Sequence, residues 1–266
     1  MTLICTLGDA VLDVVVRLDA PLAPDDDVTA ATRTGAGGQA ANVAAWAAAL
    51  GAQARCIARR GDDPAGALVA GELSRHGVEL AGPVVPGRSG VVVSLVTPDG
   101  LRTMASDRGA GKEFSAAELD PAWLAGARWL HVSGYTVATD STVAERAAEL
   151  VHEAGGRVSV DLSAVTVIER FGAAAFRARL ERLRPELVFA TEPERAALNS
   201  DLDCTWVVKR GRDGFVVDGV AHAARPADVV DTTGAGDALA AGFLVGGAEL
   251  ALAAAARCVA TVGSLP

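Results

Sequence analysis

The segment Asp231-Thr232-Thr233-Gly234-Ala235-Gly236-Asp237 sets a turn of small residues directly before an apolar stretch, Ala238 to Val245, that reads as a helix. The first amides of such a helix lack intrahelical acceptors, and the helix dipole adds partial positive charge. The backbone at Gly234, Ala235 and Gly236 can therefore cradle an anion such as a phosphoryl oxygen. A larger side chain at the glycines would hold the backbone away. Asp237 is the anomaly, a carboxylate where an anion is to be received. It is either a helix cap or a base that takes a proton from an incoming group.

A second glycine cluster, Gly35-Ala36-Gly37-Gly38-Gln39-Ala40-Ala41-Asn42, also opens a helix. Its backbone admits close approach of a polyhydroxylated ligand, and the Asn42 amide can both donate and accept. The spacing fits GxGxxA, yet the dinucleotide reading fails on context. The cluster follows a strand outside the core, and no acidic residue stands at a strand end about 20 residues further on. Gly109-Ala110-Gly111-Lys112 imitates a Walker A loop but lacks the upstream glycine at the required offset and continues with Glu113.

The frame for these residues reads as alternating strands and helices. Thr2 to Leu7 is a buried strand ending at Gly8-Asp9, and loops at that end of a parallel strand usually face the ligand. Gly38 to Leu50 is a small-residue helix closed by Gly51. Ala54 to Ala58 is a strand, and Pro64 to His76 a helix stopped by Gly77. Arg128 to Val132 and Arg157 to Leu162 are strands flanking a helix at about Ser141 to Ala154, and Glu186 to Ala190 is a further strand. This order implies a mostly parallel sheet with helices on both faces. Val14 to Leu18 with Val28 to Thr34, and Val91 to Thr97 with Leu101 to Ser106, read instead as antiparallel pairs. The second pair is joined by Pro98-Asp99-Gly100. They form a small sheet appended to the core, either a lid over a ligand site or a hairpin that merely caps the core. No repeat period or low-complexity linker interrupts the chain.

Composition removes several function classes. Among 266 residues, 33 Asp and Glu outweigh 24 Lys and Arg, and no basic block offers the footprint of a nucleic-acid binder. The longest uncharged run, Thr34 to Ala54, is mostly Ala and Gly interrupted by Gln39, Asn42 and Gln53, too weakly apolar for a membrane span. The N-terminus carries Asp9 and Asp13 and no basic n-region, so the chain reads as cytoplasmic. Cys5, Cys56, Cys204 and Cys258 are scattered, without CxxC or a histidine at ligand spacing, and read as reduced thiols.

Four segments carry a family resemblance. Gly37-Gly38-Gln39-Ala40-Ala41-Asn42 with Arg59-Arg60-Gly61-Asp62-Asp63-Pro64-Ala65-Gly66 resembles the N-terminal signature of the ribokinase-like (PfkB) carbohydrate kinases. Asp231 to Asp237 resembles their C-terminal signature, and Gly8-Asp9-Ala10 to Asp13 their opening substrate loop. The resemblance runs in order over almost the whole chain. It implies an α/β, ribokinase-like fold across residues 1–266, with a lid formed by about residues 11–34 and 89–106. It also implies a kinase that uses ATP and Mg2+ to phosphorylate a primary hydroxyl of a sugar or sugar-like molecule.

By position, the resemblance makes Asp237 the base and Gly234, Ala235 and Gly236 the anion hole. Asp13, Gly37, Gly38 and Asn42 match substrate-binding positions. Lys209, Gly211 and Gly214, in Lys209-Arg210-Gly211-Arg212-Asp213-Gly214, resemble the strand and turn near the nucleotide phosphates, although the same residues also suit an ordinary hairpin turn. Glu194 matches an acid that organises magnesium through water, with Thr191 standing where the family motif has Asn. The short segment from Leu198 to Thr205, and the chain end at Gly263-Ser264-Leu265-Pro266, depart from the family pattern. A monovalent-cation requirement is therefore not carried over. A nucleoside kinase and a catalytically silent sugar- or nucleotide-binding protein are the alternatives. The residues around His131-Val132-Ser133-Gly134-Tyr135 and the lid would discriminate substrates, with Arg102 and Arg108 able to meet an acid-sugar carboxylate. Exposed lid edges also suit a homodimer.

Overall fold

The computed structural model describes residues 2–139, 142–200 and 202–266. The chain begins with β1 (Leu3–Leu7), β2 (Val11–Leu18), β3 (Ala30–Gly37), α1 (Gln39–Ala49), β4 (Gln53–Ile57), β5 (Arg60–Gly61), α2 (Pro64–Arg75), β6 (Val78–Ala81) and β7 (Val84–Val85). It continues through β8 (Val91–Val96), β9 (Arg102–Asp107), β10 (Trp129–Ser133), α3 (Gly134–Val137), α4 (Val143–Glu153), β11 (Arg157–Asp161), α5 (Val165–Phe171) and α6 (Ala173–Leu183). It closes with β12 (Leu187–Thr191), α7 (Glu192–Leu198), β13 (Thr205–Lys209), β14 (Phe215–Val217), β15 (Val220–His222), α8 (Ala235–Gly246) and α9 (Ala248–Val259). The helix expected from Ser141 starts at Val143 among the described residues; Ser141 itself lies outside them.

The central sheet runs β15-β14-β13-β12-β11-β10-β1-β4-β6. It is parallel from β6 to β13, and the β14–β15 hairpin adds an antiparallel edge. Its strands are apolar on both sides because both faces are covered. Ile4, Phe189 and Val207 pack under α1, α2, α8 and α9, while Leu7, Val188 and Val208 pack under α4, α5, α6 and α7. The sheet grows outward from β1 in both directions, toward β4 on one side and β10 on the other. A crevice therefore opens beyond the carboxyl end of β1, where such sheets hold ligands.

A second sheet, β3-β2-β8-β9, stands apart from the first. Both expected antiparallel pairs are present, and β2 and β8 join them by a parallel pairing the patterning did not show. The first pair is longer than its hydrophobic pattern suggested. Gly35 pairs Asp13 and Gly37 pairs Val11, so the second glycine cluster begins as strand rather than as loop. Every residue of edge strand β9 is exposed.

Candidate active site

Two helices bring the glycine clusters together. Ala40, Ala41, Ala44, Ala45 and Ala47 of α1 are buried, as are Ala238, Ala240, Ala241 and Gly242 of α8. Small side chains let the two helices lie close, and their first turns meet at the crevice. There Asn42 Nδ2 donates to Asp237 Oδ2 at 2.8 Å. The other amide atom, Asn42 Oδ1, accepts from Ser264 Oγ at 3.1 Å, and the Ser264 carbonyl accepts from Trp46 Nε1 at 2.8 Å. Asn42 was expected to reach toward a ligand; its polar atoms instead tie α1 to Asp237 and to the C-terminal segment.

The cap reading of Asp237 does not survive. The cap of α8 is Gly234, at φ 78, with no side-chain cap bond. A side chain at Gly234 would be strained by that backbone, and a Cβ there would lie 2.7 Å from Ser264 Cα. Ala235 N turns back to Thr232 O at 3.3 Å, while Gly236 N and Asp237 N stand in the first turn, where no helical carbonyl precedes them. Burial is the largest influence on the Asp237 carboxyl. With a further push from Asp161, against the Asn42 and Gln39 hydrogen bonds and the Lys209 charge, it raises the group to about 7.

Lys209 lies closer to this turn than the sequence implied. Its Nζ is 3.7 Å from where a Cβ on Gly236 would sit, and it donates to Asp161 Oδ2 at 2.7 Å. Burial acts to lower the ammonium, but Asp161, Glu194 and Asp237 outweigh it and hold Lys209 above its ordinary value. Asp161, only 1% exposed, was missed by sequence reasoning. Its one signal was a carboxylate closing an apolar strand at the ligand-facing end of a parallel sheet. Ser163, at φ 70, donates its backbone N–H to Asp161 Oδ1 at 2.9 Å and its hydroxyl to Gln39 Oε1 at 2.5 Å. The network thus runs from the residue after Gly38 to Lys209.

The second glycine cluster borders a cleft of about 790 Å³ between the small sheet and the segments Val229 to Thr233 and Val262 to Leu265. Asp13 lines it, and a Cβ on Gly37 would lie 2.1 Å from Asp13 Oδ2, so only glycine leaves room for that carboxylate. Gly38, at φ 94, is fixed by Asp9 O, 2.3 Å from its Cβ position. Burial, opposed by Arg102 and assisted by Glu72, pushes Asp13 up to about 6.

Over residues 1–265 the chain matches the model of the pfkB family carbohydrate kinases. It belongs to that family. An ATP-dependent ribose-1-phosphate kinase from Halopiger xanaduensis is 33% identical over 279 residues, covering 97% of this chain and 90% of the relative. A fructokinase from Klebsiella pneumoniae is 31% identical over 269 residues, covering 91% and 83%. Among solved structures, an adenosine kinase from Sinorhizobium meliloti superposes with TM-score 0.85 at 25% identity, covering 99% and 95%. A putative ribokinase II from E. coli in complex with ATP and Mg2+ superposes with TM-score 0.82 at 21% identity, covering 99% and 94%. The pfkB carbohydrate kinases are phosphotransferases with an alcohol acceptor, and the large sheet with its separate small sheet is the ribokinase-like fold.

Other expected positions of this pfkB kinase distribute as follows. Gly211 and Gly214 form the turn between β13 and β14, and a Cβ on Gly214 would lie 1.9 Å from His222 O, so a structural demand alone explains that glycine. Glu192, Pro193, Lys209, Arg210 and Asp213 line an open cavity of about 440 Å³ on this side. Glu194 is buried, and its Oε2 accepts from Thr191 N at 2.7 Å in a capping box whose other half is Glu194 N donating to Thr191 Oγ1 at 3.4 Å. Asp63 caps α2 through Gly66 N, and Arg59 pairs with Glu118, so this half of the N-terminal signature is structural. Arg108 is corrected: Asp9 holds it at 2.7 and 2.9 Å, leaving Arg102 on the cleft. His131 is corrected too, because it is fully buried, bonded to Ser159 and set edge-on to Phe189. The four cysteines are free thiols, Cys204 only partly buried. No helix among the described residues is long and apolar enough to cross a membrane.

A carboxyl raised to about 7 in the fold and near 4 when unfolded makes the native state bind the extra proton between those values, so this group's contribution to stability falls as pH rises from about 4 to about 7. Asp237→Asn removes that slope. Thermal denaturation at pH 5 and 8 is expected to give the variant a Tm advantage of about 2–4 °C at pH 8 that shrinks at pH 5. An advantage independent of pH contradicts the assignment.

Proposed function

We propose that the chain transfers the γ-phosphoryl group of Mg-ATP to a primary hydroxyl of a sugar or sugar-like substrate, with Asp237 as base. The observation that carries this reading is the junction of Asn42, Asp237 and the Gly234–Gly236 turn, which sets a carboxylate beside free helix-terminal amides. Phosphoryl transfer has a loose transition state, so positioning and charge stabilisation dominate and the hydroxyl proton can leave late. A base titrating near 7 is matched to that task. The acceptor oxygen gives its proton to Asp237 and bonds to phosphorus. The bond to the leaving nucleotide oxygen breaks, while Gly234, Ala235 and Gly236 face the charge in transit and Lys209 supports them from below.

Asp13, with Gly37 and Gly38, receives substrate hydroxyls along the cleft; Asn42 acts at second hand, by orienting Asp237. Lys209, Gly211, Gly214 and Glu194 lie on the nucleotide side. Among the described residues no cluster of three His, Cys, Asp or Glu side chains could hold a metal. Mg2+ needs no such cluster, because it keeps several waters and binds through one or two carboxylates plus the nucleotide's phosphates. Glu194 would hold it through water, and the ion would supply charge neutralisation on the phosphates.

A sugar is favoured over a nucleoside because the residues lining the large cleft include no aromatic side chain for a base to stack on. The likeness to an adenosine kinase is the observation on the other side. The Halopiger relative is named for a sugar that already carries a phosphate, which enlarges the range of acceptors to be tried.

ADP release against a panel of sugars, sugar phosphates and nucleosides is expected to show turnover that Asp237→Asn lowers about 10²- to 10⁴-fold while binding persists. Equal inertness of the two proteins on every acceptor would leave only a binding protein. The small sheet is the lid in this reading. Arg33 Nη1 donates to Val262 O at 2.9 Å and Arg102 donates to Thr233 Oγ1, so its rim reaches across the cleft to the loop before α8. Hydrogen exchange in residues 14–34 and 90–106 is expected to slow on adding acceptor and nucleotide together; unchanged exchange there contradicts closure.

A further inference from the structure

The small sheet presents one face to the large cleft, and its charges are sorted along the strands. Alternate residues of β2, namely Asp13, Val15 and Arg17, line the cleft. Strand register sets Arg33 opposite Val15, and sets Arg17, Val96 and Arg102 in one transverse row. Arg17 and Arg102 are thus two strand spacings apart, about 10 Å, within the combined reach of two arginine side chains. Asp13 lies four residues further in, about 13 Å along the strand.

The carboxylates facing this space are already occupied or lie elsewhere. Glu72 accepts from Ala36 N at 2.5 Å. Asp231 accepts from Thr233 N, Thr233 Oγ1 and Gly263 N at 2.9, 2.6 and 3.0 Å. Asp13 sits over Gly37 at the inner end. Among the described residues none of Arg17, Arg33 and Arg102 forms a salt bridge, whereas nearby Arg88 pairs with Asp107 and Arg108 with Asp9. The hydrogen bonds that Arg33 and Arg102 make go to a carbonyl and a hydroxyl, and the Arg102 charge also acts on Asp13 and Asp231 from beyond ion-pair distance. Arg17 makes no side-chain hydrogen bond among the described residues. Three guanidiniums lining the outer end of a cleft, none of them in a salt bridge among the described residues, suit a doubly charged group that accepts several planar donor pairs.

We propose that Arg17, Arg33 and Arg102 form an anion subsite for a phosphate monoester on the acceptor. The substrate class is then a phosphorylated sugar whose free primary hydroxyl points toward Asp237. This deepens the kinase reading and rests on it for the acceptor end; the subsite itself is read by binding alone.

Isothermal titration of the full chain without nucleotide compares matched pairs: ribose with ribose 1-phosphate, and fructose with fructose 1-phosphate and fructose 6-phosphate. Ribonate and inorganic phosphate serve as controls. At least one phosphorylated sugar is expected to bind about 100-fold more tightly than its neutral partner. Arg17→Gln should cut that ratio about 10-fold, and Arg17→Lys by less, as loss of one charge-assisted hydrogen-bonding group implies. Arg17 is exposed and unpaired, so its substitution leaves folding intact. The subsite is overturned if no phosphorylated sugar outbinds its neutral partner or if the ratio ignores Arg17. It is also overturned if ribonate outbinds the phosphorylated sugars or if inorganic phosphate binds as tightly as they do. Arg17-dependent binding without Asp237-dependent turnover would remove the kinase reading and leave the subsite standing.

Discussion

The hydrogen bond from Asn42 to Asp237 ties the two halves of the site to each other. The residues stand far apart in sequence, each in the first turn of its own helix, and they meet because α1 and α8 pack through alanine and glycine. Gly242 marks how tightly α8 also packs against its other neighbour, α9, since a Cβ there would fall 2.7 Å from Ala251 Cα. Larger side chains between α1 and α8 would push the helices apart, and Asp237 would lose the Asn42 amide that orients it. Ser264 closes the arrangement by contacting Asn42, Trp46 and Gly234 at once.

Electrostatics in this small space is a contest that burial wins at Asp237 and loses at Lys209. At Asp237 the loss of water outweighs two amide donors and one nearby ammonium, so the carboxyl holds its proton far above the ordinary aspartate range. At Lys209 three carboxylates outweigh the same loss, so the ammonium stays charged beneath the turn. The outcome is a proton acceptor matched to neutral pH next to a fixed cation, both supplied by the carboxyl-terminal ends of strands and the amino-terminal ends of helices. The neighbouring cleft has its own polarity, with Asp13 at the inner end and arginines at the outer.

Much of this was legible in the residues. The glycine turn with Asp237, the second cluster with Asn42, the alternation that builds the parallel sheet and the two appended strand pairs all lie within short windows, where spacing and turn chemistry act locally. What escaped depends on contacts between distant segments. Asp161 sits at the end of an ordinary apolar strand and acquires meaning only when Lys209 arrives from another strand. Arg17 and Arg33 carried no signal in the sequence, because only the register of β2 with β3 and β8 shows that they share a face with Asp13. Arg108 went the other way: its partner Asp9 is distant in sequence, and the ion pair removes it from the cleft. The hydrogen bond of Asn42 to Asp237 was not legible either, since periodicity identifies the helix but not the neighbour against which its first turn packs.

The titration of the Asp237 side chain tests the central claim most directly. Carbon NMR of protein labelled at aspartate carboxyls, with Asp237→Asn to assign the resonance, is expected to show a carboxyl titrating near 7 and kcat/KM falling with the same midpoint as pH is lowered. Asn42→Ala should move both midpoints upward together, because the amide donor favours the ionised form. A resonance that titrates near 4, or a kcat/KM profile flat between pH 5 and 8, would contradict the account.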